Sequence, residues 1–199
     1  MKIILVGASG TIGRHLAADF AQRHEVVAVG RSGGDVQADI ESVDSIRELY
    51  AAVGPFDAVV NAAGAGYFGP FDEMGDAEFR QGINSKLMGQ VNLVLEGRKH
   101  IADAGSFTLT TGILANDPVR MASNLSAVNG ALHSFVRAAA MELPRGIRLN
   151  AISPGLVEPS AAALGSYFPG HIPVTMERTV AGYCKSLEGG MTGQVIEVH

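Results

Sequence analysis

The chain has 199 residues, 47% of them hydrophobic and 18% charged, and a formal net charge of −5. This is enough for one domain, spanning residues 1–199, with a sizeable core, and it is too apolar for a disordered chain. The acidic balance, with Lys and Arg scattered, leaves no footprint for nucleic acid or an anionic membrane; the single cysteine, Cys184, excludes an internal disulfide and suits the cytoplasm.

The opening run "MKIILVG" is too short, and too soon broken by glycine, for a signal peptide or a membrane span, and reads as a buried strand over Ile3–Val6. Beyond it, short apolar runs alternate with longer segments of helical period, the pattern of βαβ units around a mostly parallel sheet. The spacing predicts a helix over Ile12–Arg23, strands at Val26–Val29 and Val36–Ala38, and a helix over Ser42–Val53 with Ser42 as its N-cap. A strand at Ala58–Asn61, a long helix over Asp76–Asp103, a strand at Phe107–Thr110 and a helix over Ser123–Leu143 follow. In that last helix Leu125, Val128, Leu132, Phe135 and Val136 form a stripe for the core or for a second subunit. A strand at Leu149–Ile152, a helix over Glu177–Leu187 and a strand at Val195–Val198 complete the chain. Gly155–Pro173, rich in Gly, Pro and small residues, is expected to be a mobile substrate lid.

The first strand runs into "VGASGTIGRHL", with Gly7, Gly10 and Gly13 spaced by three and Ser9, Thr11 and Ile12 between them. A strand-to-helix turn without side chains lets a pyrophosphate approach the backbone amides, and the helix N-terminus adds free N–H groups and a favourable dipole. The second strand ends in "VGRSGGD". Where an NAD-binding domain commonly places an acidic residue for the ribose 2′-hydroxyl, this chain offers Gly30, Arg31 and Ser32, suited to a 2′-phosphate, so NADP(H) is the expected cofactor. Asp35, a few residues on, is the feature that opposes this reading.

The glycine turn, "ADI" (Ala38–Ile40), "NAAG" (Asn61–Gly64), "GSFTLTTG" (Gly105–Gly112), "GIRLNAISPG" (Gly146–Gly155) and "TGQVIEV" (Thr192–Val198) occur in an order that resembles the short-chain dehydrogenase/reductase family. The resemblance runs along essentially the whole chain and implies a single Rossmann-type, doubly wound parallel α/β sheet of about seven strands, ordered 3-2-1-4-5-6-7, with helices on both faces. It implies Asp39 and Ile40 as adenine contacts and Asn61, Ala62, Ala63 and Gly64 as the turn beside the adenosine ribose. Ser153, Pro154, Gly155 and Val157 would lie beside the nicotinamide. It further implies a homodimer or homotetramer.

The catalytic positions do not carry over. Family members have a Tyr-x-x-x-Lys pair on the long helix, where i and i+4 share a face. The downstream pattern puts Leu125 and Asn129 there, and neither is a general acid at neutral pH, although Asn129 can still hydrogen-bond a ribose. Counting from Gly105 places Gly112 at the family's serine position, with Thr111 just before it as the hydroxyl to expect. The family's catalytic Asn falls at Lys86, with Asn84 two residues away as the alternative; an ammonium there could replace the charge of the missing Lys. Tyr67 and His171 are substitute proton donors to consider. The six histidines show no metal-ligand spacing. The expectation is an NADP(H)-dependent oxidoreductase acting on a small carbonyl or alcohol with a non-standard site built on Thr111 and Lys86; the alternative is a catalytically inactive NADP(H)-binding protein that acts as a sensor or interaction module.

Overall fold

The apolar runs become seven parallel strands in one sheet of order β3-β2-β1-β4-β5-β6-β7, in a computed structural model that describes residues 1–199. The strands are β1 (Lys2–Val6), β2 (Glu25–Gly30), β3 (Val36–Gln37), β4 (Phe56–Asn61), β5 (Ile101–Thr110), β6 (Arg148–Pro154) and β7 (Val195–Val198). Between them run α1 (Gly13–Phe20), α2 (Val43–Val53), α3 (Asp76–Gln81), α4 (Gly89–Gly97), α5 (Ser123–Ala139), α6 (Glu158–Leu164) and α7 (Met176–Glu188). Ser42 caps α2, its side chain accepting from the Ser45 N–H.

Period-two alternation sends successive strand side chains to opposite faces, and each face is buried. Ile4, Val6, Phe107 and Leu109 pack with Leu93 of α4 and Leu132 and Val136 of α5. Ile3, Leu5 and Val60 pack on the other face with Leu16 and Phe20 of α1 and Tyr183 and Leu187 of α7. Each such fully buried aliphatic or aromatic side chain stabilises the fold by roughly 1.5–3 kcal/mol. β1 pairs with both β2 and β4, so the chain order reverses at β1 and a crevice opens beyond the strand C-termini there. No helix is long and apolar enough to cross a membrane.

Three elements differ from their sequence expectation. The long helix expected over Asp76–Asp103 is α3, then a π-helical stretch Gly82–Met88, then α4, and it stops at Gly97. Ile101 already pairs with Phe56 in the sheet, and the irregular start of β5, where Ala104 has φ of 58°, hides the strand among polar residues. Helix α5 ends at Ala139 rather than Leu143, ahead of Pro144. The segment Gly155–Pro173 contains α6, with Pro159 in its first turn and a run of alanines behind it.

Candidate functional site

The turn after β1 is shaped by close approach. Gly7 has φ of +82°, and a Cβ at Gly13 would lie 2.0 Å from Gly7 O, so the turn closes onto the start of α1 only without side chains there. The amides of Ser9, Thr11, Ile12 and Gly13 have no backbone partner and cluster where α1 begins. A cavity of about 340 Å³ adjoins this turn and brings Gly7, Ser9, Gly10, Arg31, Asp39 and Ile40 together with Ala62, Ala63 and Gly64. Asn61 lies beneath it rather than in its wall: fully buried, it donates through Nδ2 to Ala63 O at 2.8 Å and its own carbonyl accepts from Thr110 Oγ1.

A second cavity, of about 230 Å³, adjoins the first at the end of β2 and is bounded by Ser9, Gly30, Arg31 and Ser32. The amides of Arg31 and Ser32 have no backbone partner. Asp35 is tied to the strand: its Oδ2 accepts from Ala28 N at 2.8 Å and its own N–H donates to Ala28 O at 2.8 Å. Its charge is thereby engaged by the backbone.

A third cavity, of about 190 Å³, lies beyond the C-terminal ends of β5 and β6. It brings Lys86, Thr111 and Asn129 together with Pro154, Gly155 and Val157. Lys86 sits in the π-helical stretch at 9% exposure, and its Nζ finds one partner, Thr110 O at 3.3 Å. Burial lowers its pKa to about 8. Asn84, the alternative at this position, is exposed. Gln90, fully buried, fixes the segment, donating to Lys86 O and Thr110 O and accepting from Thr110 N. Thr111 Oγ1 lies 2.9 Å from His133 Nε2 and 3.1 Å from Ile152 O. A side chain at Gly112 would meet Asn129 Nδ2 at 3.3 Å, so residues 112 and 129 face each other.

Leu125 joins an apolar wall with Ile113, Leu114, Leu156 and Phe168. Asn129 Oδ1 and Ser153 Oγ are buried without a partner; Ser153 is in β6, outside the cavity lining. Neither Tyr67, folded over Gly69, nor His171, which faces Asp117 at 3.5 Å, lines this cavity. Sequence reasoning passed over Gln90, His133 and Asn124, whose buried amide joins Tyr67 N to Phe79 O. His133 carried a signal, since it follows Asn129 by four on one helix face; a buried Gln or Asn on a helix carries none.

These features fit a dinucleotide. The partnerless amides at the head of α1 suit a pyrophosphate, the cavity at Arg31 suits a further phosphate, and the partnerless Asn129 oxygen marks the far end as one that takes a polar group. No group of three or more His, Cys, Asp or Glu side chains is placed to hold a metal ion.

A family model described as enoyl-(acyl carrier protein) reductase matches residues 1–183. An uncharacterized oxidoreductase of Methylorubrum extorquens is 26% identical over 178 residues, covering 77% of this chain and 72% of its own length. The chain spans 39% and 62% of the lengths of two further curated relatives, from Arabidopsis thaliana and Claviceps purpurea. Among solved structures, the protein lin1944 from Listeria innocua superposes with a TM-score of 0.98 at 42% identity, both chains covered in full. A small-chain dehydrogenase in complex with NADPH superposes with a TM-score of 0.88 at 26% identity, covering 100% of this chain and 96% of that one.

Proposed function

Since the chain belongs to the short-chain dehydrogenase/reductase family of oxidoreductases, we propose that it is an NADP(H)-dependent enzyme interconverting a small carbonyl compound and its alcohol at a non-standard catalytic site. The observation that carries this reading is a set of partnerless polar groups beyond the strand C-termini: the Arg31 and Ser32 amides after β2, the amides at the head of α1 after β1, and Asn129 Oδ1 beside the cavity beyond β5 and β6. NADPH bound to the similar small-chain dehydrogenase supports the cofactor.

When bound, the cofactor supplies or removes hydride at the nicotinamide. The chain binds, orients and excludes water. The amides of Ser9 and Thr11–Gly13 take the pyrophosphate, Arg31 and Ser32 the 2′-phosphate, and Asp39 and Ile40 the adenine. Lys86 and Asn129 hold the nicotinamide ribose from opposite elements, the amine at 86 standing in for a cation that α5, which contains no Lys and whose Arg137 lies outside this cavity, does not place there. Thr111 directs its hydroxyl at the reacting oxygen, swinging its proton away from Ile152 O to do so. Residues 155–173 serve as the lid, and the apolar wall around Leu125 and Phe168 keeps the cavity dry. Two copies pair across the groove between α4 and α5 where Leu95, Phe135 and Leu143 are gathered, while Leu132 and Val136 of the same stripe belong to the core.

One observation favours a second reading, cofactor binding without turnover: Leu125 is apolar and the Thr111 hydroxyl is already engaged by His133 and Ile152. The purified protein is mixed with NADPH and a panel of carbonyl compounds while absorbance of the reduced cofactor is followed. Oxidation with at least one compound, reduced in Lys86→Ala and Thr111→Ala, is the expected result; saturable binding with no oxidation across the panel establishes the second reading. Arg31→Ala should weaken NADPH far more than NADH, and an equal loss for both would remove the 2′-phosphate assignment.

A further inference from the structure

His133 is 4% exposed and sits on the inward face of α5, four residues past Asn129 and eight past Leu125. Its Nε2 is 2.9 Å from Thr111 Oγ1, and Thr111 is part of the wall of the β5–β6 cavity. Its Nδ1 makes no hydrogen bond with the chain and is not among the sealed polar atoms that lack a partner, so that edge of the ring touches solvent. One nitrogen is turned to the cavity wall and the other to water.

We infer that Thr111 and His133 form a proton relay between the reacting oxygen in this cavity and solvent, an inference that rests on the oxidoreductase reading above. Helix α5 carries leucine at position 125, which cannot exchange a proton. The relay offers another route on the same helix face, two turns further along. In alcohol oxidation the substrate O–H bond breaks and its proton passes to Thr111 Oγ1. The Thr111 proton passes in turn to unprotonated Nε2 of His133. The carbinol C–H pair leaves as hydride to the oxidised nicotinamide that the proposed activity supplies, and the C=O bond forms. His133, now an imidazolium, releases its Nδ1 proton to water, and the starting tautomer returns through the open cavity when water replaces product. Carbonyl reduction runs the same transfers in reverse. Ile152 O, at 3.1 Å, holds the Thr111 hydroxyl when Nε2 carries the proton.

The charges around the ring suit the oxidative direction. Burial, then Arg137 on α5, lowers the His133 pKa, against the opposing pull of Glu197 on β7; in the cavity wall itself Lys86 is the titratable group. The neutral, proton-accepting imidazole is therefore the resting form at pH 7.

His133 acts through Thr111, so the test needs a readout that packing alone would not move. Wild-type protein is compared with Thr111→Val, Thr111→Ser and His133→Gln, whose amide can keep a hydrogen bond to Oγ1 and cannot titrate. Thr111→Val and His133→Gln are expected to lower kcat for alcohol oxidation roughly 10²-fold or more, to leave NADP⁺ affinity unchanged, and to lose the rise of rate with pH through the His133 titration. Thr111→Ser restores both rate and profile. In the cofactor-free protein, NMR titration of the His133 ring should shift in Thr111→Val. An active wild type with unchanged kcat and pH profile in both variants, or an unshifted ring titration, overturns the relay and leaves the oxidoreductase reading intact. Saturable NADPH binding by a wild type that turns over nothing overturns that reading and the relay together.

Discussion

Lys86 holds an amine among buried groups with Thr110 O as its one protein partner, and no carboxylate offsets the lost hydration. A folded-state pKa of about 8, against the ordinary lysine range, means that between these values the unfolded chain binds more protons than the folded one. Stability contributed by this site therefore rises with pH through that window, and below about 8 the cost is constant, on the order of 3 kcal/mol. Lys86→Met should raise the stability of the cofactor-free protein at pH 7 by about 1–3 kcal/mol, an advantage that shrinks toward pH 10. Denaturant melts at several pH values check this. The same variant should bind NADPH more weakly, because the amine leaves the wall shared with Asn129. At this scale the sequence named Lys86 and Thr111 but did not show which way they point. Asn84, two residues along, is exposed, and the difference lies in the phase of the helix that carries both.

That phase is set by the element. The π-helical stretch Gly82–Met88 is wider than an α-helix, and it is held from two sides: by Gln90 against Thr110, and by Asn124 of α5, whose side chain occupies the space a Cβ at Gly82 would fill. Asn124 also joins the loop after β4 to α3 through Tyr67 N and Phe79 O, at 2.9 and 2.7 Å. Asn124→Ala leaves both groups without their partner and should cost about 1–3 kcal/mol, lowering Tm by roughly 2–4 °C per kcal/mol, with faster amide exchange at Tyr67. Slower or unchanged exchange there would show that the loop is held by something else. Helical period was legible across residues 76–97, yet the widened turn within it was not, because the groups packed against it, Asn124 among them, come from another helix. In α6 the reverse holds: Glu158, Pro159 and the alanines were a readable helix start that the glycines and prolines around them masked.

The three cavities lie beyond the C-terminal ends of the strands, and a ligand that occupies them should stabilise the fold. NADPH at about a hundredfold over its Kd should add roughly 2.7 kcal/mol, which for a chain of this size is a Tm rise of about 5–10 °C. NADH at the same concentration should give a smaller rise, because it leaves the cavity at Arg31 without a phosphate; thermal shift with both cofactors measures the difference. The seven strands and the glycine turn after β1 were legible from the residues alone, and the family resemblance supplied the strand order, because strand identity, turn geometry and helix period are written in neighbouring residues. Equally legible was that α5 carries Leu125 and Asn129 and no Tyr or Lys. Folding was needed to show that Asp35 is bound back to β2, that Lys86 comes to the cavity where Asn129 lies, and that His133 stands behind Thr111. Those relations join residues 7, 43 and 22 positions apart along the chain; the first needs the turn after β2 to close, and the other two exist only once β5, β6 and α5 are packed, because a side chain's partner is fixed by the direction its element imposes rather than by its place in the sequence.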